Sequence, residues 1–144
     1  MPSGECTSLT GLPSDASAIL NEARRGVLST IESDGSPHSV PVVFVIQNGS
    51  IVSPIDNKPK RGGDLRRVRN LAADPRATLL VDHWDEDWTR LGWVMIRGRV
   101  EVHPIGAASE MLKDRFPQYT EEITPGERAL FLTPTRISWW TWTS

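Results

Sequence analysis

Closely spaced turn signals constrain the fold of this chain more than any other feature. Asp34-Gly35 lies between two runs rich in β-branched residues, and Asn48-Gly49 separates the second run from a third. An Asn-Gly pair between such runs is a strong signal for a tight β-hairpin. An antiparallel meander is therefore predicted, with strands at residues 27–31, 39–47 and 50–55.

The remaining apolar patterns predict a few helices and further strands. Helical spacing of apolar residues predicts helices at 14–25, with Arg24 and Arg25 in the last turn, and at 65–72, 106–116 and 125–131. Further strands are predicted at 77–81, 93–102 and 136–143, with Gly98 as a bulge. Six or more antiparallel strands with peripheral helices indicate a mainly β, barrel-like fold.

Residues 40–46 are almost entirely apolar, interrupted by Pro41. A continuous apolar run of this kind is typical of a strand that is covered on both faces. Because proline has no N–H to give to a neighbouring strand, we expect Pro41 at a bulge or at a position where that group is not needed.

Size and cysteine content favour one domain in a reducing compartment. The lone cysteine, Cys6, excludes an intrachain disulfide. The sequence begins with no basic and apolar leader, and no run approaches the ~18–20 apolar residues of a membrane span. We expect a cytoplasmic protein without a membrane span, in which residues 13–144 form a single domain after a flexible tail over residues 1–12.

Positive charge is concentrated in one segment of an acidic chain. Six basic residues and one acid lie between positions 58 and 69, whereas the whole chain has a net charge of −2. The Gly62-Gly63 pair lets backbone amides approach a ligand, and the N-terminus of the following helix favours an anion. A compact cluster of this kind indicates a small phosphorylated ligand rather than nucleic acid, and a solvated surface cluster is the alternative.

Two other segments are unusual in composition. Residues 82–88 hold four carboxylates, one histidine and two tryptophans, but no further ligand pattern accompanies them, so we predict no metal site. We expect Trp84 and Trp88 to pack down or to line a pocket. On the last strand, Trp140 and Trp142 share one face and Trp139 lies on the other, so at least one of the three should be exposed in a monomer. This exposure favours a subunit interface or an aromatic ligand wall.

Six segments of the sequence together carry a resemblance to a known family. They are Val27-Leu-Ser-Thr-Ile31, Asp34-Gly-Ser-Pro-His-Ser-Val-Pro-Val42, Lys58-Pro-Lys-Arg61, Arg67-Val-Arg-Asn-Leu71, Asp74-Pro-Arg-Ala-Thr-Leu-Leu-Val-Asp82 and Gly98-Arg-Val-Glu-Val102. Together they resemble the pyridoxamine-phosphate-oxidase-like split β-barrel superfamily. The order and spacing are most similar to its actinobacterial branch, which uses the 8-hydroxy-5-deazaflavin coenzyme F-420, and residues 82–88 resemble a signature of an uncharacterised subgroup.

This resemblance implies a homodimer with two cofactor sites in the grooves between subunits. The strand at 39–44 would run beside the cofactor ring and the turn at 53–61 would hold the phosphate, with Lys60 at the position of the family's phosphate-binding lysine. The other implied cofactor-binding residues are Lys58, Arg61, Arg67, Asn70, Ser53, Pro41 and Val42. The C-terminal Arg-Pro and Trp-Gly segment of true pyridoxamine phosphate oxidases is absent, so their substrate is not implied.

The resulting hypothesis is an oxidoreductase that moves a hydride between reduced coenzyme F-420 and an unsaturated, small-molecule organic acceptor. The cofactor carries the chemistry, and no catalytic residue is assigned. An FMN-dependent oxidoreductase of the same fold is one alternative. A non-catalytic flavin- or haem-binding protein is another, because the sequence shows no obvious general acid–base pair.

Overall fold

The computed structural model describes residues 3–56 and 65–142, and the predicted mainly β architecture is confirmed. The strands are β1 (Ser3–Cys6), β2 (Gly26–Ile31), β3 (Pro37–Val42), β4 (Val45–Gln47), β5 (Ser50–Pro54), β6 (Arg76–His83), β7 (Gly92–Pro104) and β8 (Arg128–Thr141). The helices of this part of the chain are α1 (Ser14–Glu22), α2 (Arg66–Ala73) and α3 (Ala108–Arg115).

The strands form one antiparallel sheet that curls into an incompletely closed barrel. Its order is β3-β2-β6-β7-β8-β5-β4, with β1 paired to β8. A flat sheet of this order would separate its outer strands by roughly 29 Å, at about 4.8 Å per strand. However, the outer strands β3 and β4 are joined by Val43 and Phe44 alone, and three chain steps span at most about 11 Å. The sheet must therefore curve until β3 and β4 lie close to each other, although the two strands do not pair.

The barrel interior is filled by alternate residues of the central strands. Leu79 and Val81 of β6 and Val94 and Ile96 of β7 are at most 1% exposed. Burial of each such side chain stabilises the fold by roughly 1.5–3 kcal/mol. Helix α1 closes this cluster with Ala16 and Leu20, and a second cluster lies under α3 around Leu112, Phe116, Val45 and Val52.

Strand β7 has one buried and one exposed face over most of its length. Val94, Ile96 and Val100 are buried, whereas Arg99 and Glu101 are exposed. The register with β8 shifts between Arg97 and Gly98, because Arg97 pairs with Arg136 whereas Gly98 pairs with Pro134. The additional residue is Thr135 of β8, so the irregularity lies beside Gly98 but on the partner strand. The additional residue in β8 keeps Leu132 and Ile137, on either side of it, directed toward the core.

The predicted helix at residues 125–131 is wrong, because β8 begins at Arg128. Ala129 pairs with His103 of β7 on one edge and with Pro54 of β5 on the other. These two ladders satisfy the backbone from both sides, and tertiary pairing of this kind overrides a local helical pattern.

The prediction of one strand at residues 39–47, covered on both faces over 40–46, is also corrected. The chain breaks after Val42 into β3 and β4, and β3 forms an outer strand of the sheet in which Pro41 is exposed. Pro41 lies opposite Val27 of β2, and on the other edge of β3 no described strand needs its missing N–H. That part of the expectation for Pro41 is confirmed.

Strand β1 has no clear signal in the sequence. Its residues pair with Ile137–Trp140 of β8 through backbone hydrogen bonds, and Glu5 lies 2.6 Å from Arg136 in an ion pair. A four-residue strand containing glycine forms because β8 offers it an unpaired edge. The mobility of residues 1–12 and the domain limits at 13–144 stay predictions.

Arg76 holds the Asp74 carboxylate at the end of α2, which lowers the pKa of Asp74 from 3.8 to about 2. A lowered folded-state pKa stabilises the protein above the unfolded value, and this contribution is lost as pH falls through the folded value. We expect the Asp74 contribution to decline between pH 3.8 and about 2. An NMR titration of the side-chain carboxyl carbon measures this midpoint. The Arg76→Gln variant should raise it toward 3.8, and a wild-type midpoint already near 3.8 would contradict the assignment.

Within residues 3–56 and 65–142, no helix is both long enough and apolar enough to span a membrane.

Candidate functional site

A cavity of about 490 Å³ lies between the chain that precedes β2, the outer strand β3, the end of β5 and the start of α2. Three arginines and one aspartate are the charged groups among its described lining residues, so the cavity favours an anionic ligand. These lining residues are Arg24, Arg25, Pro41, Val42, Val43, Ser53, Pro54, Asp56, Leu65 and Arg67.

One wall of the cavity is the outer strand β3. Pro41 and Val42 pair with Val27 and Gly26 of β2 along one edge, and no described strand pairs with the other edge. Backbone N–H and C=O groups along such an edge are available to hydrogen-bond a ligand. This wall therefore suits the polar rim of a flat ring.

Ser53 fixes the position of this wall. Its buried hydroxyl donates a hydrogen bond to the backbone carbonyl of Val43 at 2.9 Å, which ties β5 to the chain that leaves β3. Because its proton is used in this way, the described arrangement assigns Ser53 to holding Val43 beside the cavity.

Arg67 is a charged residue of the cavity lining, and one of its hydrogen-bond donors is unsatisfied within the described part of the chain. It is the second residue of α2, and its side-chain Nε is buried without a hydrogen-bond partner among the described residues. Burial lowers the pKa of Arg67, and the negative charge of Asp56 opposes this shift. The guanidinium nevertheless remains protonated at neutral pH. A buried N–H without a partner costs about 1–3 kcal/mol, which an anionic oxygen would recover.

Asp56 is held in place by Tyr119, whose hydroxyl donates to Asp56 Oδ2 at 3.0 Å. Burial raises the pKa of Tyr119, and the negative charge of Asp56 raises it further. The phenol therefore stays protonated and serves as a donor, so the carboxylate is fixed in the cavity lining, where its charge acts on Arg67.

The N-terminus of α2 opens near the same place. Leu65 occupies the N-cap position of α2 and lines the cavity. Its side chain is apolar and cannot accept a hydrogen bond from the first N–H groups of the helix. The first backbone N–H groups of a helix have no partner within the helix, and together with the helix dipole they favour an anion. This feature adds to the attraction of Arg67 rather than replacing it.

The structure brings together four of the residues implied by the sequence, namely Pro41, Val42, Ser53 and Arg67. Asn70 lies elsewhere, along a separate concavity beside Arg66 and Arg69. Its amide donates to Thr30 Oγ1 at 3.0 Å, and both side chains are buried, so Asn70 joins α2 to β2. Its role in cofactor binding stays a prediction. Lys58, Lys60 and Arg61 lie outside the described residues.

Sequence reasoning missed Arg24, Arg25, Asp56 and Tyr119. The arginine pair does not end a helix, because α1 ends at Glu22. It precedes β2, and the pairing of β2 with β3 carries it to the cavity. The sequence did offer one signal for Arg24 and Arg25. They form a basic pair outside the segment at 58–69, directly before the first strand of the predicted meander. For the contact between Asp56 and Tyr119 no local signal exists.

The acidic segment at 82–88 behaves differently from its prediction. Trp84 and Trp88 are 61% and 60% exposed, so the expectation that they pack down is wrong for the described chain. Asp87 accepts hydrogen bonds from Thr89, and Asp85 lies 3.5 Å from Arg90. Within the described ranges, no group of three His, Cys, Asp or Glu residues is arranged to hold a metal ion.

Known proteins share this fold. Residues 12–141 match the family described as pyridoxamine 5'-phosphate oxidase. A conserved hypothetical protein from Mycobacterium tuberculosis superposes with a TM-score of 0.68 at 23% identity, over 92% of this chain and 87% of that chain. A structure described as F-420 reductase gives 0.65 at 23% identity, over 88% and 98% of the two chains.

A haem-binding protein from Mycobacterium smegmatis gives a TM-score of 0.65 at 21% identity, over 90% of this chain and 55% of that chain. At identities this low, the superpositions establish a shared fold. They confirm the predicted split β-barrel with peripheral helices.

Proposed function

This chain belongs to the pyridoxamine 5'-phosphate oxidase family, and we propose that it is an oxidoreductase that binds a phosphorylated, flavin-type cofactor in the cavity between β3 and α2. The deazaflavin coenzyme F-420 is the cofactor that we favour, and FMN is the alternative. The favoured cofactor is supported by the residues that resemble the F-420 branch and by the structural likeness to an F-420 reductase.

The observation that carries this proposal is the buried Nε of Arg67, which lacks a partner among the described residues and belongs to a cavity lining with two further arginines. A phosphate offers acceptor oxygens that match the fork of a guanidinium. The residues present therefore fit the phosphate of such a cofactor. Lys60 is proposed as a second cation on the phosphate, supported by Lys58 and Arg61.

The exposed edge of β3 would hold the ring. Backbone groups near Pro41 and Val42 bind its polar rim, while Val42 and Val43 exclude water from one side. When bound in its reduced form, the cofactor supplies a hydride, which the acceptor takes at one carbon of a conjugated double bond while a proton from water completes the two-electron reduction. The protein's part is binding, orientation and desolvation.

We also propose that two copies of the chain form a homodimer. Val27 of β2 and Leu80 of β6 lie directly opposite each other, and both are more than a third exposed. Apolar side chains paired across strands on an outer sheet face favour coverage by a second protein surface. Sedimentation analysis of wild type and of Leu80→Glu measures this, and a wild-type monomer at micromolar concentration would contradict it.

A fluorescence titration of the purified protein with coenzyme F-420 and with FMN tests the cofactor assignment. We expect tighter binding of coenzyme F-420, and loss of ~1.5–3 kcal/mol of binding free energy in Lys60→Ala. Lys113→Ala is the matched control, because Lys113 lies on α3 in a surface pair with Glu110. Unchanged affinity in Lys60→Ala would refute its role, and a yellow protein that keeps FMN through purification would favour the alternative.

Haem binding without turnover is the second candidate, supported by the likeness to a haem-binding protein. Haem iron in proteins is held by His, Cys, Met or Tyr. None of these types occurs among the described residues that line the cavity, which is why we rank haem below a flavin-type cofactor. A Soret-band shift on titration with haem, together with no affinity for either flavin, would reverse this order.

A further inference from the structure

A second cavity, of about 250 Å³, adjoins the first. Both are lined by Arg24 and Val43, and the second is completed by Phe116, Gln118, Tyr119 and Ile123. A ligand in the second cavity would therefore share a wall with a ligand in the first. Its volume corresponds to roughly eight water molecules at about 30 Å³ each, which suits a molecule of one or two rings.

The walls of this cavity are largely apolar and are held in place. Ile123 is 39% exposed, yet its carbonyl accepts from the backbone N–H of Thr120 at 2.9 Å and its own N–H donates to Thr120 Oγ1 at 3.0 Å. Tyr119 is fixed by its hydrogen bond to Asp56 and by a backbone bond to Phe116. Ligand pockets are usually preformed and lined mostly by apolar side chains, and this cavity has both properties.

Arg24 supplies the charge in this cavity. Its guanidinium carbon lies 4.6 Å from the centre of the Phe116 ring, and Nη2 donates to the backbone carbonyl of Arg115 at 3.0 Å. A guanidinium has five N–H donors, so further donors of Arg24 are available to a ligand oxygen. The cavity thus combines an apolar slot with a strong donor at the boundary to the first cavity.

We propose that this second cavity is the acceptor subsite, and that it takes a small, flat carbonyl compound of one or two conjugated rings. The rings lie between Val43, Phe116 and Ile123, and the carbonyl oxygen faces Arg24. The inference deepens the proposed function, because the cofactor would occupy the adjoining cavity. The residues that line the second cavity belong to the protein itself, so the rings should bind there without the cofactor.

The test uses tetralone, an unreactive bicyclic aromatic ketone, with isotope-labelled full-length protein in the absence of cofactor. We expect amide shifts that concentrate at residues 116–124 in an NMR titration. Ile123→Glu places a charge in the apolar slot and should weaken tetralone binding at least tenfold. Met111→Glu is the matched control, since Met111 is 37% exposed on α3 and lines neither cavity, and it should bind tetralone as wild type does.

Shifts elsewhere, no tetralone binding to wild type, or equal weakening in Ile123→Glu and Met111→Glu would overturn the inference. A separate titration with coenzyme F-420 and FMN distinguishes this failure from failure of the proposed function. Ile123→Glu should bind the cofactor as wild type does. If tetralone binds at 116–124 while neither cofactor binds the wild type, the proposed function fails and the ring-binding cavity stands.

Discussion

The Arg67→Met variant should bind the phosphorylated cofactor ~1.5–3 kcal/mol more weakly, which is about 10- to 150-fold in the dissociation constant. The buried Nε of Arg67 lacks a partner among the described residues, so a phosphate oxygen would gain a charge-assisted hydrogen bond in a partly desolvated place. Methionine keeps the apolar stem and removes the donors. Fluorescence titration measures the change.

Arg66→Met is the control for this experiment. Arg66 precedes Arg67 on α2, but it is 53% exposed and pairs with Glu32 at 3.3 Å on another part of the surface. Both substitutions remove one positive charge from the same helix. Equal losses of affinity in the two variants would show that the net charge of the segment, rather than the position of Arg67, attracts the cofactor.

The stability of Arg67→Met separates binding from folding. The variant removes a buried N–H that lacks a partner, and it also removes a cation near Asp56, which keeps its hydrogen bond from Tyr119. These effects oppose each other, so we expect the free energy of unfolding to change by less than about 1 kcal/mol. Urea denaturation checks this, and a much larger loss would give Arg67 a structural role.

Local turn chemistry explains why the meander could be predicted. Asn48 and Gly49 both adopt positive φ, at 50° and 78°, and β4 and β5 pair directly across them. A two-residue hairpin turn of this type needs residues that tolerate the left-handed region, and Asn-Gly supplies them. The signal and the structure it specifies lie within a few residues of each other, so sequence alone suffices.

The parts that were missed depend on distant partners. Strand β1 exists because β8 presents an edge to it, and the first residues of β8 are extended because β5 and β7 lie on either side. The residues themselves favour neither outcome strongly. Pairing energies between segments far apart in sequence decide them, and one sequence does not reveal these energies.

The candidate site likewise combines residues that a local sequence pattern indicates with residues that only distant pairing brings to the cavity. The density of positive charge identified the segment that contains Arg67, but spacing did not reveal that the amide of Asn70, three residues later, donates to Thr30. Arg24 and Asp56 reach the cavity through the pairing of β2 with β3 and through the end of β5. Their contributions depend on the barrel closing, which brings four separate segments around one cavity.

The Gly98→Ala variant should lose about 3 kcal/mol of unfolding free energy. A Cβ at position 98 would lie 2.1 Å from the carbonyl oxygen of Thr133 and 2.8 Å from its carbonyl carbon. These are backbone atoms, so no side-chain rotation relieves the overlap. The bulge would have to open, and it lies within the 13 residue pairs that join β7 to β8.

Gly35→Ala is the matched control for Gly98→Ala. Gly35 has a φ of +86°, but nothing lies within 4 Å of a Cβ built there. Only the strain of the left-handed conformation should count, at roughly 1–2 kcal/mol. Urea denaturation of both variants compares a steric clash with backbone strain. If Gly98→Ala lost no more stability than Gly35→Ala, the β7–β8 ladder would be flexible enough to accommodate a methyl group, and the bulge would not fix the register of the barrel.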